Sequence, residues 1–136
     1  MAAEPYRQSI VIEAEPEVVF DYFVEPAALV RWMGDRAVLD PRPGGEFTVF
    51  VGDASIRGHY VEVSPPSRLV ISWGRGGSET FPPSTSTLEV TLVPEAGGTR
   101  VGIVHSGLPA EEAPKHAAGW RQFLPRLAAA AGRRGR

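Results

Sequence analysis

Three histidines, His59, His105 and His116, are the side chains best suited to proton chemistry near neutral pH. Glu112 and His116 stand four apart, a spacing that can put two ligands on one helical face, but no third ligand accompanies them. A metal ion is therefore not expected, and the two read as a solvated pair near a helix start. His105 ends an alternating run with Val101 and Ile103, so it shares their inward row. It is either a core histidine hydrogen-bonded to its surroundings or a polar anchor or general base in a cavity. His59 carries the same two readings. Ser106 follows His105 directly, and neighbours on a strand point to opposite faces, which argues against a Ser–His nucleophilic pair. Gly74-Arg75-Gly76-Gly77 lacks the Lys-Ser/Thr ending and the following helix of a phosphate loop, so nucleotide binding is not expected; no cofactor is expected. Asp35 and Asp53 fall in turns and read as turn formers.

Composition narrows the classes further. The chain has 136 residues, 43% hydrophobic and 22% charged, which suits one domain with a substantial core. A net charge of −2 gives no general basic surface for nucleic acid. Without cysteine there is no disulfide framework, thiol nucleophile or thiolate metal site. No apolar run approaches the roughly 20 residues that span a bilayer, and the N-terminus lacks the basic-then-apolar build of a secretory signal. A cytoplasmic protein is expected.

These side chains need elements to hold them. Arg7 to Ala14 reads as a first strand, and Pro16 and Pro26 each start a short helix. Strand candidates follow at 37–39, 46–51, 56–63, 68–73, 85–93 and 99–106, with turns rich in Gly, Pro and Asp between them, which predicts an antiparallel meander. The longest connection, Gly74 to Ser84, is expected to be a flexible loop. Leu88, Val90 and Leu92 should face inward. Around Tyr60, the pattern of Val61 and Val63 carries Arg57 and His59 inward and Tyr60 outward, unless a one-residue bulge reverses the order. Leu108 to Ala131 repeats Ala113, Ala117, Trp120, Leu124, Leu127 and Ala131 at helical spacing and should cover the sheet. Pro125 should kink this helix and send Arg126 to Ala131 away from the body. Gly119 is expected where helix and sheet approach closely. Residues 132–136 read as a frayed tail.

Strand, two short helices, six strands and a long helix make the helix-grip arrangement, an α+β fold. The stretches IEAEPEVVFDYFVEPAALVRWMG (12–34), GHYVEVSPPSRLVISW (58–73), GTRVGIVHSGL (98–108) and HAAGW (116–120) carry a further likeness. Through them the chain resembles the START-like (SRPBCC) superfamily, and within it the branch named after activators of the heat-shock ATPase chaperone. The resemblance runs over residues 8 to 131. It implies a curved antiparallel sheet gripping the C-terminal helix, with a cavity between them that relatives use for apolar compounds or, in some cases, for cyclisation or hydrolysis. ATPase stimulation is not expected, because the co-chaperones that perform it carry an additional N-terminal domain for which this chain has no room.

The leading expectation is therefore binding of a small apolar or aromatic molecule. Trp32, Phe47, Arg57, His59, Trp73, His105 and Trp120 are the expected cavity residues, with no catalytic residue assigned. A cavity enzyme using His105 or His59 as general base, with Arg57 steadying an anion, is the second reading. An interaction module with a collapsed cavity is the third. The open sheet edges leave room for a homodimer.

Overall fold

The structure, a computed structural model, describes residues 4–132. Chain order is β1 (Tyr6–Ile12), α1 (Pro16–Val24), α2 (Pro26–Leu29), β2 (Arg36–Leu39), β3 (Glu46–Val51), β4 (Ala54–Ser64), β5 (Arg68–Arg75), β6 (Ser86–Glu95), β7 (Gly98–Ser106) and α3 (Ala113–Ala131). The strands form one antiparallel sheet in the order β1-β7-β6-β5-β4-β3-β2. The meander thus runs from β2 to β7, and β1 returns to pair with β7. This is the expected helix-grip fold, a curved sheet holding the C-terminal helix.

Alternation places the core as predicted on β6 and β7. Leu88, Val90 and Leu92 are buried, as are Val101, Ile103 and His105 in the neighbouring row. Strand β4 differs. Its register against β5 shifts between Tyr60 and Glu62, so Val61 forms a bulge that is 49% exposed while Tyr60 is 0% exposed. The extra residue resets the alternation, which lets Tyr60 and Val63 both face the core. Arg57 and His59, out of phase with Tyr60, consequently lie on the outer face. The sequence reading had these two inward; the bulge it allowed for decides otherwise.

The short helices are stitched in by side chains. Pro26 lacks the N–H that would close on the Tyr22 carbonyl, so α1 ends with unserved acceptors. Trp32 Nε1 donates to the Tyr22 carbonyl at 2.9 Å, and Tyr60 Oη donates to the Phe23 carbonyl at 2.8 Å. One bond ties α1 to the segment after α2, the other ties it to the sheet. Gly34 then reverses the chain at φ 77, a conformation that strains any side chain, and Asp35 Oδ2 accepts the Gly52 N–H at 2.7 Å to clamp the β3–β4 turn.

Helix α3 begins five residues later than the periodicity suggested, with Leu108–Glu112 forming a turn before it. It runs unbroken through Pro125 to Ala131. Trp120, Leu124, Leu127 and Ala131 are buried, and Tyr22 Oη donates to the Ala130 carbonyl at 3.1 Å. The last turns therefore stay on the body instead of angling away. Pro125 and Arg121, whose carbonyl loses its partner, are both exposed, so water can serve that carbonyl. Of the expected tail, Gly132 is buried and donates its N–H to the Ala128 carbonyl; residues 133–136 lie outside the described residues.

A buried hydrogen-bond chain docks α3 on the sheet. Trp120 Nε1–H donates to His105 Nδ1 at 3.1 Å. An indole is only a donor, so His105 Nδ1 must be unprotonated and Nε2 must carry the hydrogen. Nε2–H then donates to Ser86 Oγ at 2.8 Å, and Ser86 donates onward to the Trp73 carbonyl at 2.8 Å. Both ring nitrogens are used in a buried site, and burial, with His116 nearby, pushes the His105 pKa down to about 3.

Two outcomes follow from this architecture. Tyr60→Phe removes the donor to a buried carbonyl and should cost about 1–3 kcal/mol in urea unfolding; an unchanged midpoint would mean that the Phe23 carbonyl finds water. For His105, the unfolded chain takes up a proton below the ordinary value of 6.5, while the folded chain does not until about 3. Its contribution to stability is thus full above pH 6.5 and falls as the pH drops through that window. His116, also shifted down, adds to the slope. His105→Gln should flatten the loss by up to about 1.4 kcal/mol per pH unit, measured as unfolding free energy against pH. An unaltered slope would contradict a neutral His105.

Candidate functional site

The curved sheet and α3 meet at Trp120 and diverge toward the β3–β4 hairpin, leaving a pocket of about 240 Å³. Val51, Ala54, Ser55 and Ile56 of the hairpin form one wall, Trp73 and Arg75 of β5 the base, and Lys115, His116, Gly119, Trp120 and Phe123 of α3 the roof. Period two along β5 explains the base: Trp73 and Arg75 share a face, with Ser72 and Gly74 on the other.

Aromatic rings give the pocket its rigidity. Trp73 and Trp120 are tilted against each other with centroids 5.6 Å apart, and His116 meets Trp73 edge-on at 6.4 Å. Trp73 Nε1–H donates to His116 Nε2 at 3.2 Å. That fixes the His116 proton on Nδ1, which faces the Glu112 carbonyl at 3.1 Å. Burial holds the His116 pKa below its ordinary value, against the opposing pull of Glu112.

Glu112 anchors the polar corner. Its side chain is 5% exposed, and it receives Arg75 in a two-point ion pair, Nη2 to Oε1 at 2.8 Å and Nη1 to Oε2 at 3.1 Å. The Arg75 guanidinium keeps the Glu112 carboxyl below the usual carboxylate range. Arg75 in turn lies 5.4 Å over the Phe81 ring, and Phe81 packs edge-on to His116 at 5.3 Å. The loop after β5, expected to be a flexible lip, is thus pinned by a buried phenylalanine. The Glu112–His116 pair is correspondingly no solvated pair. Tertiary contacts bury it.

The expected cavity residues separate into three groups. Trp73 and Trp120 line the pocket. His105, Phe47 and Trp32 stand behind it: His105 is 5.4 Å from Trp73, Phe47 is 5.6 Å from Trp73, and Trp32 is 6.5 Å from Trp120, all three buried. Arg57 and His59 lie on the outer face. Arg57 Nε donates to Ser55 Oγ at 3.1 Å, and its guanidinium sits 5.5 Å over Phe50. His59 Nδ1 meets Ser72 Oγ at 2.9 Å and Ser84 Oγ at 3.3 Å. His59, Arg57 and His105 therefore do not converge, because the β4 bulge puts the first two on the opposite side of the sheet.

Sequence reasoning missed Arg75, Gly119 and Phe123 in the lining. Arg75 was legible by alternation from Trp73, but the glycines around it made the stretch read as loop. Gly119 was expected at a close helix–sheet approach. A Cβ built there meets only Phe123 Cε2, at an ordinary 3.8 Å. No residue of the sheet comes within 4 Å of it. Among the described residues, no group of three His, Asp or Glu is placed to hold a metal ion, and no helix is long and apolar enough to cross a membrane.

Comparison with known proteins places this geometry. DynU16, a protein of the dynemicin biosynthetic locus, is 24% identical over 94% of this chain with a TM-score of 0.80, and this chain spans 47% of its length. The solution structure of the Aha1 dimer from Colwellia psychrerythraea superposes with a TM-score of 0.85 at 15% identity, covering 96% of this chain and 98% of that one. Both likenesses concern the fold. An AHSA1-like protein from Rhizobium etli is nearer in sequence, 34% identical over 98% of this chain and 84% of its own, with a TM-score of 0.71. Among curated proteins no match was found. The family model for activator of Hsp90 ATPase homolog 1-like protein matches residues 13–132. The chain belongs to the family of activator of Hsp90 ATPase homolog 1-like proteins.

Proposed function

We propose that this protein binds a small apolar or aromatic molecule in the pocket between the sheet and the first half of α3. Gly119 carries the reading. A glycine inside a helix costs roughly 1 kcal/mol relative to alanine. Neither a positive φ nor a close neighbour accounts for it here. What a side chain would occupy is the pocket itself, so the residue keeps a volume open that the protein does not fill.

The walls suit such a ligand. Trp73, Trp120, Phe123 and Ile56 supply apolar surface, and Arg75 and Lys115 supply a few polar contacts, the usual make-up of a small-molecule site. About 240 Å³ falls just below the range of about 300–1,000 Å³ typical of drug-sized ligands, which fits a compact body of one or two fused rings. Binding is favoured over chemistry by the state of the candidate bases. His105 has both nitrogens engaged and no contact with solvent, while His59 lies across the sheet from the pocket.

Naphthylmethanol, a neutral two-ring probe, should bind in calorimetric titration. Gly119→Ala should raise the unfolding midpoint, by up to about 1 kcal/mol in stability, while weakening that binding. Gly119→Leu should abolish it by filling the space. Wild-type affinity in both variants, or failure of both this alcohol and its carboxylate analogue naphthoate to bind the native protein, would sink the proposal.

A further inference from the structure

The charges around the pocket are one-sided. Its two charged lining residues are both cations, Arg75 from β5 and Lys115 from α3. We propose that the ligand is an acid, a compact aromatic or alicyclic carboxylate whose ring enters the aromatic base and whose carboxylate stays at the rim between Arg75 and Lys115. This rests on the binding reading above and adds the chemical class.

Two observations carry it. First, Glu112 does not line the pocket; it sits behind Arg75, buried, and grips both terminal nitrogens of the guanidinium. That orients Arg75 and leaves its Nε–H edge outside the ion pair. Secondly, Lys115 is held only loosely. Its Nζ lies 3.8 Å from Glu112 Oε2 and its side chain is 68% exposed, so it can turn toward an incoming anion. Two cations thus share one carboxylate, and the surplus positive charge falls at the pocket's rim. Both charged groups are cations toward the ligand. A carboxylate accepts from both, whereas a neutral alcohol or amide would leave the charge uncompensated.

The test is calorimetric titration of naphthoate against naphthylmethanol, two probes of nearly equal size that differ in charge. Naphthoate should bind about tenfold more tightly at low ionic strength, and added salt should narrow the gap. Lys115→Gln should bring the two dissociation constants together by weakening the acid, and Lys115→Glu should reverse their order. Lys115 is exposed, so neither change threatens folding. Naphthylmethanol binding as well as naphthoate would overturn the charge inference while leaving the pocket reading intact, as would an unaltered preference in Lys115→Glu. Failure of both probes to bind would overturn both.

Discussion

The hydrogen bond from Trp120 to His105 is the constraint on which the rest of this structure turns. It joins the long helix to β7 with both rings buried, and it works only while His105 is neutral and carries its hydrogen on Nε2. Ser86 completes the circuit by passing that hydrogen bond to the Trp73 backbone. A buried polar chain with every member satisfied specifies one docking geometry, where an apolar contact would allow the helix to slide. Below this point Leu124, Leu127 and Ala131 continue the seam; above it the sheet curves away from the helix.

That divergence makes the pocket, and the residues near it are arranged to keep it open. Trp73 and Trp120 are locked by their indole bonds to His116 and His105, so neither ring is free to collapse inward. The Arg75–Glu112 pair holds the outer corner, and Phe81 pins the adjoining loop against His116. Gly119 completes the roof by contributing no side chain. A volume bounded by fixed rings and a missing Cβ is a structural feature in its own right, distinct from loose packing.

Much of this could be read from the chain. Alternation at Leu88, Val90 and Leu92, helical spacing from Trp120 to Ala131, and prolines at the starts of α1 and α2 are local signals, and each survived folding. The inward facing of Trp73 and Trp120 was legible for the same reason. The polar corner was not. Glu112 and His116 looked like an ordinary solvated pair because nothing in their spacing shows that Arg75 and Phe81, 37 and 35 residues before their respective partners, close over them.

The sequence by itself determined the element order, the apolar rows and the family, because these depend on short-range periodicity and on motifs spread along the chain. Tertiary structure alone decided which face His59 and Arg57 take, where the pocket opens and what charge rims it. A single extra residue at Val61 inverts the alternation upstream of it, and that inversion is set by the pairing of β4 with β5, not by β4 alone. Pro125 makes the same point in the other direction. Its local preference for a bend is real, but burial of Leu127 and Ala131 on one side and solvent on the other keep α3 unbroken and packed.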